Sequence, residues 1–199
     1  AEPAGTESDE LLPWSPMKDG EPAFTSIALP NTGAVSMDGI ARAFGIDGTW
    51  LGVGKGYLGG LPFVLDDHGV ATTLHGGGQM VLEGGGSGNT LALLCATRLW
   101  GSGWAWYSKN SSVPRRSAAR AHQFRAILTY DDGTTTEAIP QRWDKESAGV
   151  WPGVNAYTVP VDTAQGLVSV TLDENMSFGQ VVLLAASRLA VERTESSVK

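Results

Sequence analysis

The stretch FRAILTYDDGTTTEAI, residues 124–139, decides the fold class of this chain. Apolar and polar residues alternate on the first side of Asp131-Asp132-Gly133, and a second strand-like segment follows it. An Asp-Gly pair between two such segments is a strong short-range signal for a β-hairpin. The stretch therefore predicts two antiparallel strands, residues 124–130 and 134–139, joined by a tight turn.

Short apolar segments of strand length recur on both sides of this hairpin, separated by turn residues. The 26 glycines and 10 prolines are spread along the chain, which is typical of many short strands and tight turns. These features predict an all-β protein, with about eight to ten strands in two packed antiparallel sheets. The other predicted strands are residues 24–29, 39–44, 61–65, 79–82, 90–96, 158–161, 166–172 and 181–189.

The chain divides by composition into one large central part and two short ends. Residues 1–22 are rich in proline and acids and predict an arm or linker that Trp14 pins down. Residues 23–192 form the predicted β-sandwich module, and residues 193–199 a tail. The small, polar residues at the start are typical of a mature terminus left by signal-peptide removal or of a domain cut from a longer chain, and we expect a secreted protein.

Charge and hydropathy exclude several classes of partner. The formal net charge is -7, which gives no electrostatic basis for binding nucleic acid or an anionic membrane. No apolar run approaches the roughly 18 to 20 residues that a transmembrane helix needs. Cys95 is the only cysteine, so it cannot form an internal disulfide, and its apolar neighbours predict a small buried side chain.

An ordered series of short motifs runs through the chain. Its pieces are Asp38-Gly39-Ile40, residues 57–63, Gly78-Gln79, Leu93-Leu94, Tyr130 to Thr134, and Trp143-Asp144. The series is similar to the β-sandwich accessory module of bacterial extracellular glycoside hydrolases, a jelly roll of the galactose-binding-like type. The resemblance implies that fold, an accessory role that includes sugar binding, and a catalytic domain or chain as partner.

Two stretches concentrate the aromatic residues, 99–120 and 141–157. Sugar binding needs flat apolar rings that stack on pyranose faces and polar groups that bond to hydroxyls, held on loops by a stiff scaffold. We therefore predict a glycan or polysaccharide as ligand. The candidate ligand-binding residues are Trp100, Trp104, Trp106, Tyr107 and Arg115 in the first stretch, and Trp143, Asp144 and Trp151 in the second.

Other interpretations of the aromatic stretches remain open. Trp104 and Trp106 alternate as two residues on one face of a strand would, and large aromatics often cap a core. The same residues would also suit a structural domain that packs against a catalytic partner. A small glycan-active hydrolase would need two facing carboxylates, for which Asp144 and Glu146 are available.

Chemistry of other kinds has little support in the sequence. There is no Gly-x-Ser-x-Gly motif, and the three histidines lack the spacing of a metal site or a catalytic triad. We predict no catalytic residue and no cofactor. A structural calcium ion is a further possibility, because residues 38–47 combine carboxylates with glycine-rich turns, and such loops supply oxygen ligands.

Overall fold

A computed structural model describes residues 14–18, 23–30, 34–36, 54–65, 70–74, 78–99, 124–143, 147–148, 153–174 and 179–192. Within these ranges the chain is all-β, every strand pair is antiparallel, and there is no helix. Accordingly, no helix in the described ranges is long and apolar enough to span a membrane. The predicted fold class is confirmed at the level of an all-β, antiparallel protein compatible with a sandwich.

The strands in the described ranges are β1 Trp14–Pro16, β2 Thr25–Ile27, β3 Ala34–Ser36, β4 Gly54–Leu58, β5 Leu61–Leu65, β6 Val70–Leu74, β7 Gly78–Glu83, β8 Thr90–Leu99, β9 Phe124–Tyr130, β10 Thr135–Ala138, β11 Gln141–Arg142, β12 Ser147–Ala148, β13 Gly153–Pro160, β14 Leu167–Glu174 and β15 Gly179–Leu189.

These strands form three sheets. A three-stranded sheet has the order β1-β4-β5, and a four-stranded sheet has the order β10-β9-β14-β7. The largest sheet has the order β12-β11-β13-β8-β15-β6-β3, and β2 also pairs with β15.

The first core lies between the four-stranded sheet and one face of the largest sheet. Apolar side chains of β7, β9 and β14 meet alternate residues of β8, β13 and β15. The chain crosses between the two sheets after β6, β7, β8, β10, β13 and β14, so neighbouring strands are often distant in sequence. This arrangement is the sandwich that the alternating patterns predict.

A second core covers the opposite face of the largest sheet, which the sequence analysis did not predict. Leu58, Leu61, Phe63 and Leu65 of the β4–β5 hairpin pack there against the remaining alternate residues of β8, β13 and β15. Several of the residues they meet are alanines, whose small side chains let the hairpin approach closely. The expected two-sheet arrangement is therefore incomplete, because a three-stranded sheet forms a third layer.

Strand β8 shows why the third layer was missed. Every residue from Leu91 to Ala96 is fully buried. Odd-numbered positions such as Leu93 belong to the first core, and even-numbered positions such as Leu94 belong to the second. A continuous apolar run predicts a buried strand, but does not tell which layer covers each of its faces.

The hairpin predicted from residues 124–139 is confirmed. Strands β9 and β10 pair from Thr129 with Thr135 through Ala126 with Ala138. Gly133 has a φ of 83°, a left-handed conformation that glycine adopts without strain. The Thr134 hydroxyl and backbone N–H both donate to Asp132 Oδ1, at 2.6 and 2.8 Å, and these bonds lower the pKa of Asp132.

The structure differs from the predicted strands at three places. Strand β4, Gly54–Leu58, is not among the predicted strands, and a Cβ on its Gly56 would overlap the Trp14 indole. Trp14–Pro16, in the predicted N-terminal arm, is strand β1 and pairs with β4. A strand was predicted at residues 158–161, but β13 already begins at Gly153, and Tyr157 within it is buried in the first core.

The predicted burial of Cys95 is confirmed and leads to a reactivity prediction. The thiol is fully buried, and burial raises its pKa far above the usual range. Because the thiolate is the nucleophile, we expect Ellman's reagent to leave the native protein unmodified and to label one thiol per chain in denaturant. Rapid labelling of the folded protein would contradict the burial of this strand.

Candidate functional site

Two strand ends, one at the start of the first aromatic stretch and one inside the second, meet at one end of the sandwich, here called the site end. Leu99, the last residue of β8, pairs with Gly179 at the start of β15. Gly153, the first residue of β13, pairs with Thr97, two residues before the end of β8. The chain thus leaves the site end before residues 100–123 and returns there after residues 149–152.

Strand β9 runs away from the site end, because the hydroxyl of Tyr130, its last residue, accepts a hydrogen bond from Asp162 N–H beyond the far end of β13. The ring of Phe124, its first residue, packs edge to face on Tyr157 with centroids 6.1 Å apart. Tyr157 is also the register partner of Arg142 in β11, the strand that leads into the second aromatic stretch. The start of β9 and the end of β11 are therefore joined through one buried aromatic pair.

Polar side chains line the interior beneath the site end. Arg142 is only 4% exposed and shares a face with Tyr157, and Asn155 is 8% exposed and shares a face with Cys95. Thr97 is 2% exposed and lies beside Val181, and its hydroxyl has no hydrogen-bond partner among the described residues. These three buried polar side chains are here called the polar floor of the site end.

Arg142 and Asn155 were not predicted as site residues. The sequence offered no signal for either residue, because no strand was predicted at residues 141–142 or 153–157 and so no face could be assigned. In the structure Trp143 lies on the face of the second core, and its neighbour Arg142 shares the opposite face with Tyr157.

Trp143 is the one predicted ligand-binding residue that the structure describes. It is half-buried against the second core, its indole N–H donates to Gly59 O at 2.9 Å, and its backbone N–H donates to Ala156 O at 2.9 Å. The side chain thus holds the β4–β5 turn onto the largest sheet. This packing matches the core-capping interpretation, and its role in ligand binding stays a prediction.

The remaining predicted site residues lie outside the described residues. They are Trp100, Trp104, Trp106, Tyr107, Arg115, Asp144 and Trp151. The predicted calcium loop, residues 38–47, also lies outside them. In the part of the chain that is described, no group of three histidine, cysteine or acidic side chains is placed to hold a metal ion.

The second aromatic stretch is less loop-like than its composition predicted. Residues 141–142, 147–148 and 153–157 are strand, and together they extend the largest sheet at one edge. The described strand residues of this stretch are therefore fixed by backbone hydrogen bonds of the sheet. A binding surface built on them would need little ordering when a ligand arrives.

Scans of protein-family models, of curated proteins and of solved structures found no match to this chain.

Proposed function

We propose that this chain is a non-catalytic carbohydrate-binding module of a secreted bacterial protein, with its glycan site at the site end. The observation that carries the proposal is that the strand end that begins the first aromatic stretch and a strand end inside the second meet there. Five of the seven tryptophans in the sequence belong to these two stretches. Aromatic rings are the groups that stack on sugar faces.

The scaffold beneath the site end supports the same proposal. Strands β8, β13 and β15, whose ends form the site end, are buried between two cores and are therefore rigid. Arg142 and Asn155 add buried polar groups beside the anchors, and such groups can orient loop residues that contact hydroxyls. Rigid aromatic platforms on a stiff scaffold lose little conformational entropy on binding.

The finer fold assignment, a galactose-binding-like jelly roll, is part of this proposal. Facing antiparallel sheets and repeated crossings between them support it. The resembling motifs Leu93-Leu94 and Tyr130 to Thr134 lie in the sandwich strands and their hairpin, as the family resemblance implies. The association with a glycoside hydrolase as catalytic partner is proposed on the same resemblance.

Titration of intrinsic tryptophan fluorescence across a panel of plant, fungal and bacterial polysaccharides tests the function. We expect a saturable change in intensity or emission maximum with at least one glycan. N-acetyltryptophanamide titrated in parallel controls for absorbance and viscosity of the polysaccharides. A response no larger than this control with every glycan would overturn the proposal.

A further inference from the structure

Strand β7 forms one edge of the four-stranded sheet. Within the described ranges it pairs with β14 and with no other strand. Its side chains alternate, since Met80 and Leu82 are buried in the first core. Gln79, Val81 and Glu83 point to the opposite face and are exposed. Val81 is 58% exposed, more than any other large hydrophobic side chain in the described ranges.

The hydrogen bonds between β7 and β14 fix the direction of the other backbone groups of β7. Gly84, which follows β7, donates its N–H to Val168 O at 2.6 Å, and the register continues from there along β7 without a shift. Because bonds to one neighbour alternate along an antiparallel strand, the even-numbered residues of β7 bond to β14. The N–H and C=O groups of Gln79, Val81 and Glu83 therefore point away from β14, in the plane of the sheet.

No other sheet edge in the described ranges offers a strand of this kind. Strands β1 and β5, at the edges of the three-stranded sheet, contain Pro16 and Pro62, and proline cannot donate a backbone hydrogen bond. Strands β2, β3, β10 and β12 have at most four residues. Strand β7 has six residues and contains neither proline nor lysine, the residues that commonly protect an edge. It is therefore the edge best suited to pairing with another strand.

The sequence of β7 is self-complementary in one antiparallel register. When Val81 lies opposite Val81 of a second copy, Gln79 lies opposite Glu83 on both sides of the two-fold axis. The two valines then form an apolar cross-strand pair, and each amide NH₂ group can donate to a carboxylate. In this register the outward N–H and C=O groups of all three residues are paired. Other registers that keep the exposed residues on one face leave some of these groups unpaired or place Glu83 opposite Glu83.

We propose that β7 pairs with β7 of a second copy of this chain about a two-fold axis at Val81, joining two four-stranded sheets into one continuous sheet. The contact is isologous, as in most homodimers. A single strand pair buries less surface than a standard protein–protein interface, so the dimer is a weak one. The proposal does not depend on glycan binding, because neither its residues nor its test involve a glycan.

Sedimentation equilibrium of the full chain tests the association. We expect a reversible monomer–dimer equilibrium with a dissociation constant of roughly 10 μM to 1 mM, the range of a small interface. Hydrogen exchange of the Val81 amide, measured in dilute monomer, is expected to be fast. A monomer at every concentration up to about 1 mM would overturn the proposal. Slow exchange in the monomer would also overturn it, because another part of the same chain would then cover the edge.

A charge placed on the two-fold axis tests the surface that is used. Val81→Lys sets two ammonium groups opposite each other, and we expect the dissociation constant to rise by at least about 10-fold. Thr135→Lys is the matched control, since it adds the same charge at an exposed residue of β10, the other edge of the same sheet. It should leave the dissociation constant unchanged. Because both positions are exposed, both variants should keep the melting temperature. A Val81→Lys protein that dimerised normally would contradict the proposal.

Cross-linking with a short bis-maleimide tests the register. In Val81→Cys the two introduced thiols lie together at the axis, whereas in Gln79→Cys they are offset by four residues, about 13 Å along the strand. Cys95 does not compete, because it is buried. We expect efficient cross-linking of Val81→Cys and little of Gln79→Cys. Equal cross-linking of both, or none of Val81→Cys under dimer-forming conditions, would contradict the axis at Val81.

Discussion

Replacing Leu94 by alanine is expected to lower the free energy of unfolding by about 2 to 5 kcal/mol, as much as replacing Leu93. The two residues are neighbours on β8, and both are 0% exposed. Leu93 faces the first core and Leu94 the second. In a plain two-sheet sandwich, one of them would face solvent, and its truncation would cost little. Equal costs would therefore establish the third layer.

Urea denaturation of Leu93→Ala and Leu94→Ala at 25 °C provides the comparison. Val168→Ala is the matched control, because that side chain is 53% exposed, and its truncation should change stability by less than about 0.5 kcal/mol. The three-stranded sheet would not cover the face of Leu94 if Leu94→Ala changed the free energy of unfolding as little as Val168→Ala, while Leu93→Ala lowered it by the full expected amount.

Replacing both Trp104 and Trp106 by alanine is expected to lower glycan affinity by about 30-fold or more. Central aromatic residues dominate binding energy, and truncation of each typically costs about 1 kcal/mol or more, so the pair accounts for about 2 kcal/mol or more. The ligand is the glycan that gives the strongest fluorescence response. Calorimetric titration measures the affinity, and thermal unfolding of the same protein measures stability.

Stability distinguishes the interpretations of these two tryptophans. If they bind glycan, affinity falls and the melting temperature is retained; if they cap the core, the melting temperature falls and affinity is retained. Trp14→Phe is the control with the opposite expected pattern, since Trp14 packs against the second core and lies over Gly56. It should lose stability and keep affinity. A Trp104/Trp106 double variant that bound glycan normally would contradict the proposed site.

The sequence predicted those strands whose residue pattern depends only on neighbouring residues in the chain. The hairpin at Asp131-Asp132-Gly133 follows from turn chemistry alone, and β5 was predicted at residues 61–65, the bounds that the structure shows. Strand β4 was missed because glycines normally mark turns. Gly56 is needed there because the Trp14 ring lies where a Cβ would be, and that contact joins residues far apart in sequence.

The candidate site was predictable only in part, for a related reason. Composition located the two aromatic stretches, but the meeting of Leu99 and Gly153 at one end of the sandwich depends on the pairing of β8 with both β13 and β15. Single-sequence patterns do not specify which strands pair. The polar floor of Arg142 and Asn155 was missed because burial of a polar residue depends on the sheet packed above it.

Mapping the glycan-bound surface by two-dimensional amide NMR tests the central claim most directly. A uniformly ¹⁵N-labelled chain is titrated with the glycan selected by fluorescence, and the shifted backbone amides are assigned. The account predicts that the largest shifts among the described residues fall at Leu99, Arg142, Gly153 and Asn155, with little change at Asp132 or Asp162. Shifts concentrated at Asp132 and Asp162, or no shifts at saturating glycan, would contradict it.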